Sequence, residues 1–96
     1  MGNIQLNLTE NNNGGFYYME EGQQLGEMVI AIKGTELIVY HTEVDPAQEG
    51  KGIAGKLLAE MVSYARANHL TVVPLCPYVA AQFKRHPDLY ADLWKA

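Results

Sequence analysis

The chain has 96 residues, 48% of them hydrophobic, a formal net charge of −4 and one cysteine. That is one small domain with enough apolar material for a core, and its acidic balance argues against broad nucleic-acid binding. A lone cysteine leaves no internal disulfide and fits a reducing, cytoplasmic compartment, while no apolar run reaches membrane-span length or forms a signal peptide.

Ile4, Leu6 and Leu8 alternate with Gln5 and Asn7, the period of a half-buried strand. Thr9 to Gly15, rich in Asn and Gly, predicts a turn, and Phe16–Met19 a second short strand. Glu20 to Gln24 reads as the next turn, Leu25–Ile32 as a third strand, and Lys33-Gly34-Thr35 turns the chain into a fourth, Glu36–Val44. These short connections predict an antiparallel meander.

The character then changes. Ile53, Leu57, Met61 and Ala65 recur every fourth residue with Ala54, Leu58 and Val62 beside them, predicting an amphipathic helix over 51–68 that stops at Asn68. Leu70–Val73 is a fifth strand. A strand, a helix and a further strand in succession make a crossover, so strands four and five are expected to be parallel. Pro74 restricts strand five to an edge or ends its pairing. Pro77 suits the first turn of a second helix, Tyr78 to Arg85; Pro87 ends it, and Asp88 is available to cap a last short helix that packs through Leu89, Tyr90, Leu93 and Trp94.

The informative stretch joins strand four to the first helix. Gly50 and Gly52 sit where the chain leaves the strand and presents bare amides, and a helix N-terminus adds unpaired N–H groups and the positive end of the peptide dipole, a combination suited to a phosphate or pyrophosphate. A few amides with Lys51 and Lys56 are enough for an anionic small ligand despite the overall negative charge. The bland alternative is an ordinary tight turn. Cys76 follows strand five and precedes a helix, where the dipole favours thiolate; it is either a nucleophile or redox-sensitive thiol, or a small buried hydrophobe. His41 is available as a general base, its ordinary pKa lying near neutrality, or is a hydrogen-bonded core histidine within an apolar strand. Lys84, Arg85 and His86 form a compact basic run at a helix end. The three histidines show no metal-ligand spacing and no supporting carboxylate cluster, so no metal is expected.

At this point the residues resemble a known family. Val44-x-Pro46 followed by Gly50-Lys51-Gly52-Ile53-Ala54 at a helix start is similar to the acetyl-coenzyme-A loop of the GNAT superfamily of N-acetyltransferases, Arg/Gln-x-x-Gly-x-Gly/Ala. Gly52 and Ala54 match its last two fixed positions, and the first falls on Glu49. His41–Val44, Val73-Pro74-Leu75-Cys76-Pro77-Tyr78-Val79 and Arg85-His86-Pro87 extend the resemblance, over roughly 36–94, to the small members of that group, which are trimmed at the N-terminus. It implies an α/β, GNAT-type fold: a mostly antiparallel sheet of about five strands with one parallel pair, carrying two or three helices. It implies acetyl-coenzyme A as co-substrate, and transfer of acetyl to an amine of a small molecule or protein. Its site would comprise Gly50, Lys51, Gly52, Ile53, Ala54, Gly55 and Lys56 around the pyrophosphate, backbone amides at Thr42 and Val44 facing the thioester and pantetheine, and Arg85 near the 3′-phosphate. Tyr78 would be the general acid, or an aromatic packed on the sheet. Two further readings remain: a non-catalytic acyl-coenzyme-A-binding or protein-interaction module, and a self-acylating or redox thiol at Cys76. The oligomeric state does not follow from the sequence.

Overall fold

The computed structural model describes residues 2–95. Five strands lie side by side in chain order: β1 (Asn3–Leu8), β2 (Asn13–Glu20), β3 (Gln23–Lys33) and β4 (Glu36–Val44) are antiparallel neighbours, and β5 (Thr71–Pro74) pairs parallel with β4. The helix α1 (Ile53–Ala67) connects the parallel pair, and α2 (Pro77–Arg85) and α3 (Pro87–Tyr90) follow β5. This is the α/β sheet with one parallel pair that the sequence predicts. Among the described residues no helix is long and apolar enough to cross a membrane.

The sheet has one buried and one open face. Phe16, Tyr18, Met28, Ile30, Leu37, Val39 and Val72 are buried and join one cluster with Ile53, Leu57, Met61 and Ala65 of α1 and Val79 and Phe83 of α2. The alternate positions Gln5, Tyr17, Glu27, Val29, Ile38 and Val73 are half-buried or exposed. Phe83 stacks on Tyr90 at 4.5 Å and meets Trp94 edge-on at 6.0 Å, so α3 and the segment after it are fastened to α2 by aromatic contact.

Several boundaries differ from the sequence expectation. β2 begins at Asn13 because Gly14 and Gly15 are ladder residues, paired with Leu8 and Asn7 on one side and Ile30 and Val29 on the other. A Cβ on Gly14 would overlap the Asn7 carbonyl, so glycine here permits a close strand approach. The first helix starts two residues later than predicted, at Ile53. It ends in paired bonds, Leu70 N–H to Ala65 O (2.8 Å) and His69 N–H to Arg66 O (3.3 Å), with His69 left-handed at φ 55°. Pro87 opens α3 at its first position rather than only closing α2, and Asp88 lies in the first turn of α3; its cap residue is His86, with no side-chain cap bond. β5 is not a bare edge: Val72 N–H donates to Leu93 O (2.7 Å) and Lys95 N–H to Val72 O (2.9 Å), so the segment after α3 covers its outer side.

One irregularity decides which side chains of β4 face the helices. Val29 pairs with His41 but Ile30 with Val39, leaving Tyr40 as an extra residue in β4. Antiparallel partners share a face, so Val39 and Thr42 lie on the helix-covered face, opposite Ile30 and Met28. His41 and Glu43 lie on the open face, opposite Val29 and Glu27. Strict alternation from Leu37 and Val39 would have placed His41 inside.

Candidate active site

β4 and β5 part company after the pair Val39 and Pro74. There the Cys76 N–H donates to Val39 O at 2.9 Å and the chain turns into α2. β4 continues to Val44 paired only with β3, so its other backbone edge has no strand partner among the described residues.

Beyond β4, Asp45 closes a 3₁₀ turn, Pro46–Gln48, by accepting from Ala47 N–H at 3.0 Å. The chain then passes through Gly50 and Gly52, at φ 86° and 75°, values a side chain would strain. Gly52 caps α1 without any side-chain hydrogen bond. The first bond along the helix is Lys56 N–H to Gly52 O, 3.0 Å, so the amides of Ile53, Ala54 and Gly55 have no acceptor within the helix. These donors and the positive dipole end open onto a groove of about 420 Å³ lined by Val44, Glu49, Gly50, Gly52, Gly55 and Tyr78, among others. Gly55 lies inside α1, yet a Cβ on it would meet nothing within 4 Å, so the chain's own packing does not require glycine there.

The structure brings some expected residues together and separates others. Gly50, Gly52, Ile53, Ala54, Gly55, Val44 and Tyr78 share the groove. Lys51 sits in the loop before the helix, with Nζ donating to Gln48 Oε1 at 2.8 Å. Lys56 lies on the other flank of α1, its Nζ 5.6 Å from the Tyr18 ring centre. Arg85 is exposed at the far end of α2 and does not line the groove. Cys76 is 2% exposed, and its thiol donates to Thr42 Oγ1 at 3.3 Å, a link between the start of α2 and β4 where the strands separate. Burial pushes the Tyr78 phenol above its ordinary pKa, with Tyr90 and Cys76 adding to the shift, so its proton is held more firmly.

His41 is on the open face, and the core-histidine alternative does not hold: its side chain is 49% exposed. Nε2 lies 3.8 Å from Glu27 and 3.7 Å from Glu43. Donor atoms of the three side chains fall within 4.8 Å of one another, a set with the chemistry to hold a hard or borderline cation or an ammonium group. The sequence pattern by itself shows no carboxylate cluster around any histidine. Glu43 is visible two residues away on the same face, but Glu27 arrives only through the β3–β4 register.

A sequence profile described as GCN5-related N-acetyl-transferase matches residues 15–93. Among solved structures, a GCN5-like protein from Staphylococcus aureus is 27% identical with a TM-score of 0.72, the match covering 98% of this chain and 88% of that one. Ribosomal-protein-alanine N-acetyltransferase of Brucella melitensis is 19% identical (TM-score 0.65, 91% of this chain and 64% of that), and ribosomal-protein-S18-alanine N-acetyltransferase of Escherichia coli is 14% identical (TM-score 0.62, 67% and 42%). These last two show likeness of fold alone. The chain spans less than half of the Escherichia coli enzyme and most of the staphylococcal protein.

Proposed function

The chain belongs to the GCN5-related N-acetyltransferase family, and from that premise we propose that it binds acetyl-coenzyme A and transfers the acetyl group to an amine of a small molecule or protein. The observation that carries this reading is the uncapped N-terminus of α1 opening onto a groove beside the unpaired edge of β4. The amides of Ile53, Ala54 and Gly55 receive the pyrophosphate. The pantetheine arm lies along Thr42 and Val44 as a missing strand would, and a β4 amide donates to the thioester carbonyl as it becomes an oxyanion. The amine nitrogen attacks that carbonyl, the carbon–sulfur bond breaks, and Tyr78 gives its proton to the departing thiolate. His41 takes the proton from the amine on the opposite face, with Glu27 and Glu43 steadying the imidazolium. Cys76 fixes the Thr42 hydroxyl instead of forming an acetyl intermediate.

A second reading, a module that holds the coenzyme without turnover, is favoured by one observation. Glu49 lines the groove, and a carboxylate beside an anion weakens binding. Titration calorimetry with acetyl-coenzyme A and coenzyme A, followed by an amine-dependent assay of thiol release, separates the two. Saturable binding near one per chain with amine-dependent release supports transfer. Binding without release under a broad amine screen supports the module, and absence of binding by the folded protein overturns both.

A further inference from the structure

The sheet's two edges are treated differently. The outer side of β5 is covered by the backbone from Leu93 to Lys95. The outer side of β1 has no partner among the described residues. Proteins usually blunt such an edge with a charge, a proline or a bulge. β1 has none: its six residues, Asn3-Ile4-Gln5-Leu6-Asn7-Leu8, are uncharged and pair with β2 in unbroken register.

The strand is also self-complementary. Ile4, Leu6 and Leu8 are half-buried on the core face, packed against the cluster but not closed over, and Asn3, Gln5 and Asn7 are exposed on the open face. A second copy pairing antiparallel about a twofold axis perpendicular to the sheet must keep each face on its own side, which forbids a one-residue slip. Two central registers remain. Centred on Gln5, Ile4 meets Leu6 of the second copy, Gln5 meets Gln5 and Asn3 meets Asn7. Centred on Leu6, Leu6 meets Leu6, Ile4 meets Leu8 and Gln5 meets Asn7. Both registers set apolar side chains against apolar ones and carboxamides against carboxamides, with no charge opposite another even though the whole chain carries −4. Beside β1 a groove of about 490 Å³, bounded by Ile4, Tyr18, Lys56 and Ala59, leaves room for the incoming apolar side chains.

We propose that β1 is a homodimerisation edge, through which two copies of this chain form one continuous ten-stranded sheet. A six-residue strand pair is only about 20 Å long, far smaller than a permanent interface, so the association is weak and reversible.

Sedimentation velocity from about 10 μM to 1 mM, the range that so small an interface implies, tests this. The average mass is expected to rise from one chain toward two. Gln5→Lys and Gln5→Glu alter an exposed side chain, so far-ultraviolet circular dichroism should match that of the parent. Each should shift the midpoint to at least tenfold higher concentration, and an equimolar mixture of the two should recover it if the register centres on Gln5. Gln5→Lys mixed with Asn7→Asp should recover it if the register centres on Leu6. A single-chain mass at 1 mM overturns the proposal. So does a dimer that Gln5→Lys combined with Asn7→Lys fails to weaken, since that pair sets like charges opposite each other in both registers and the interface then lies elsewhere.

Discussion

Gly55→Ala separates what the helix needs from what a ligand needs. Gly55 is the third residue of α1, and an added Cβ would meet no atom within 4 Å. Alanine in place of a helical glycine is worth about 0.5–1 kcal/mol. For a domain of this length that raises the melting temperature by roughly 2–8 °C. The new methyl, however, points back toward the helix N-terminus, into the groove where the amides of Ile53, Ala54 and Gly55 are free. Weakening one charge-assisted hydrogen bond there costs about 1.5–3 kcal/mol, which is tenfold or more in coenzyme affinity. Thermal melts and titration calorimetry with coenzyme A on the same two proteins give both numbers. A more stable variant that binds coenzyme A as tightly as the parent would refute the placement of the pyrophosphate over α1. A variant with no gain in stability would show that the space above Gly55 is not free.

Gly14→Ala should act in the opposite sense, since its methyl would overlap the Asn7 carbonyl and force the β1–β2 ladder apart; a loss of about 1–3 kcal/mol in urea unfolding is expected, and an unchanged midpoint would contradict the register. Arg66 forms two bonds to Asp92, 3.0 and 3.2 Å, and one to Leu89 O, 2.7 Å, tying α1 to the segment around α3. The hydrogen bond from Arg66 holds the Asp92 carboxyl below its ordinary pKa. A depressed carboxylate adds stability above its unfolded value, about 3.9, that is lost as pH falls through the folded one. Asp92→Asn should therefore lower the urea midpoint at pH 7 and leave it near the parent's well below pH 3, whereas an equal deficit at both pH values would argue against charge linkage.

The fold was largely legible because most of it rests on local periodicity. The four-residue recurrence from Ile53 to Ala65 has one good burial solution, and short turns leave β1 to β4 little choice but to pair in order. What stayed hidden depends on register and on contacts distant in sequence. Gly14 and Gly15 look like turn residues until their strand neighbours are known. The cover on β5 comes from Leu93 to Lys95, a segment with no strand signature of its own. The glycine loop could be read because positive φ and free amides are written in its composition. The group of Glu27, His41 and Glu43 could not, because nothing in the residue types of β4 announces that Tyr40 is bulged out of the ladder.

That one extra residue turns β4 into a partition. Downstream of Tyr40 the strand shows Thr42 to the helical side and His41 to the bare side. On the proposed chemistry, coenzyme and acceptor therefore enter through separate doors on opposite sides of a single strand, and neither has to leave for the other to arrive. Steady-state kinetics on such a site would follow a ternary-complex rate law, with no exchange of acetyl between coenzyme molecules in the absence of amine. Deleting Tyr40 would leave Val39 opposite Ile30 and His41 opposite Val29 and so keep each group on its side, whereas a β4 in which Tyr40 joined the ladder would put both on the wrong side of the wall.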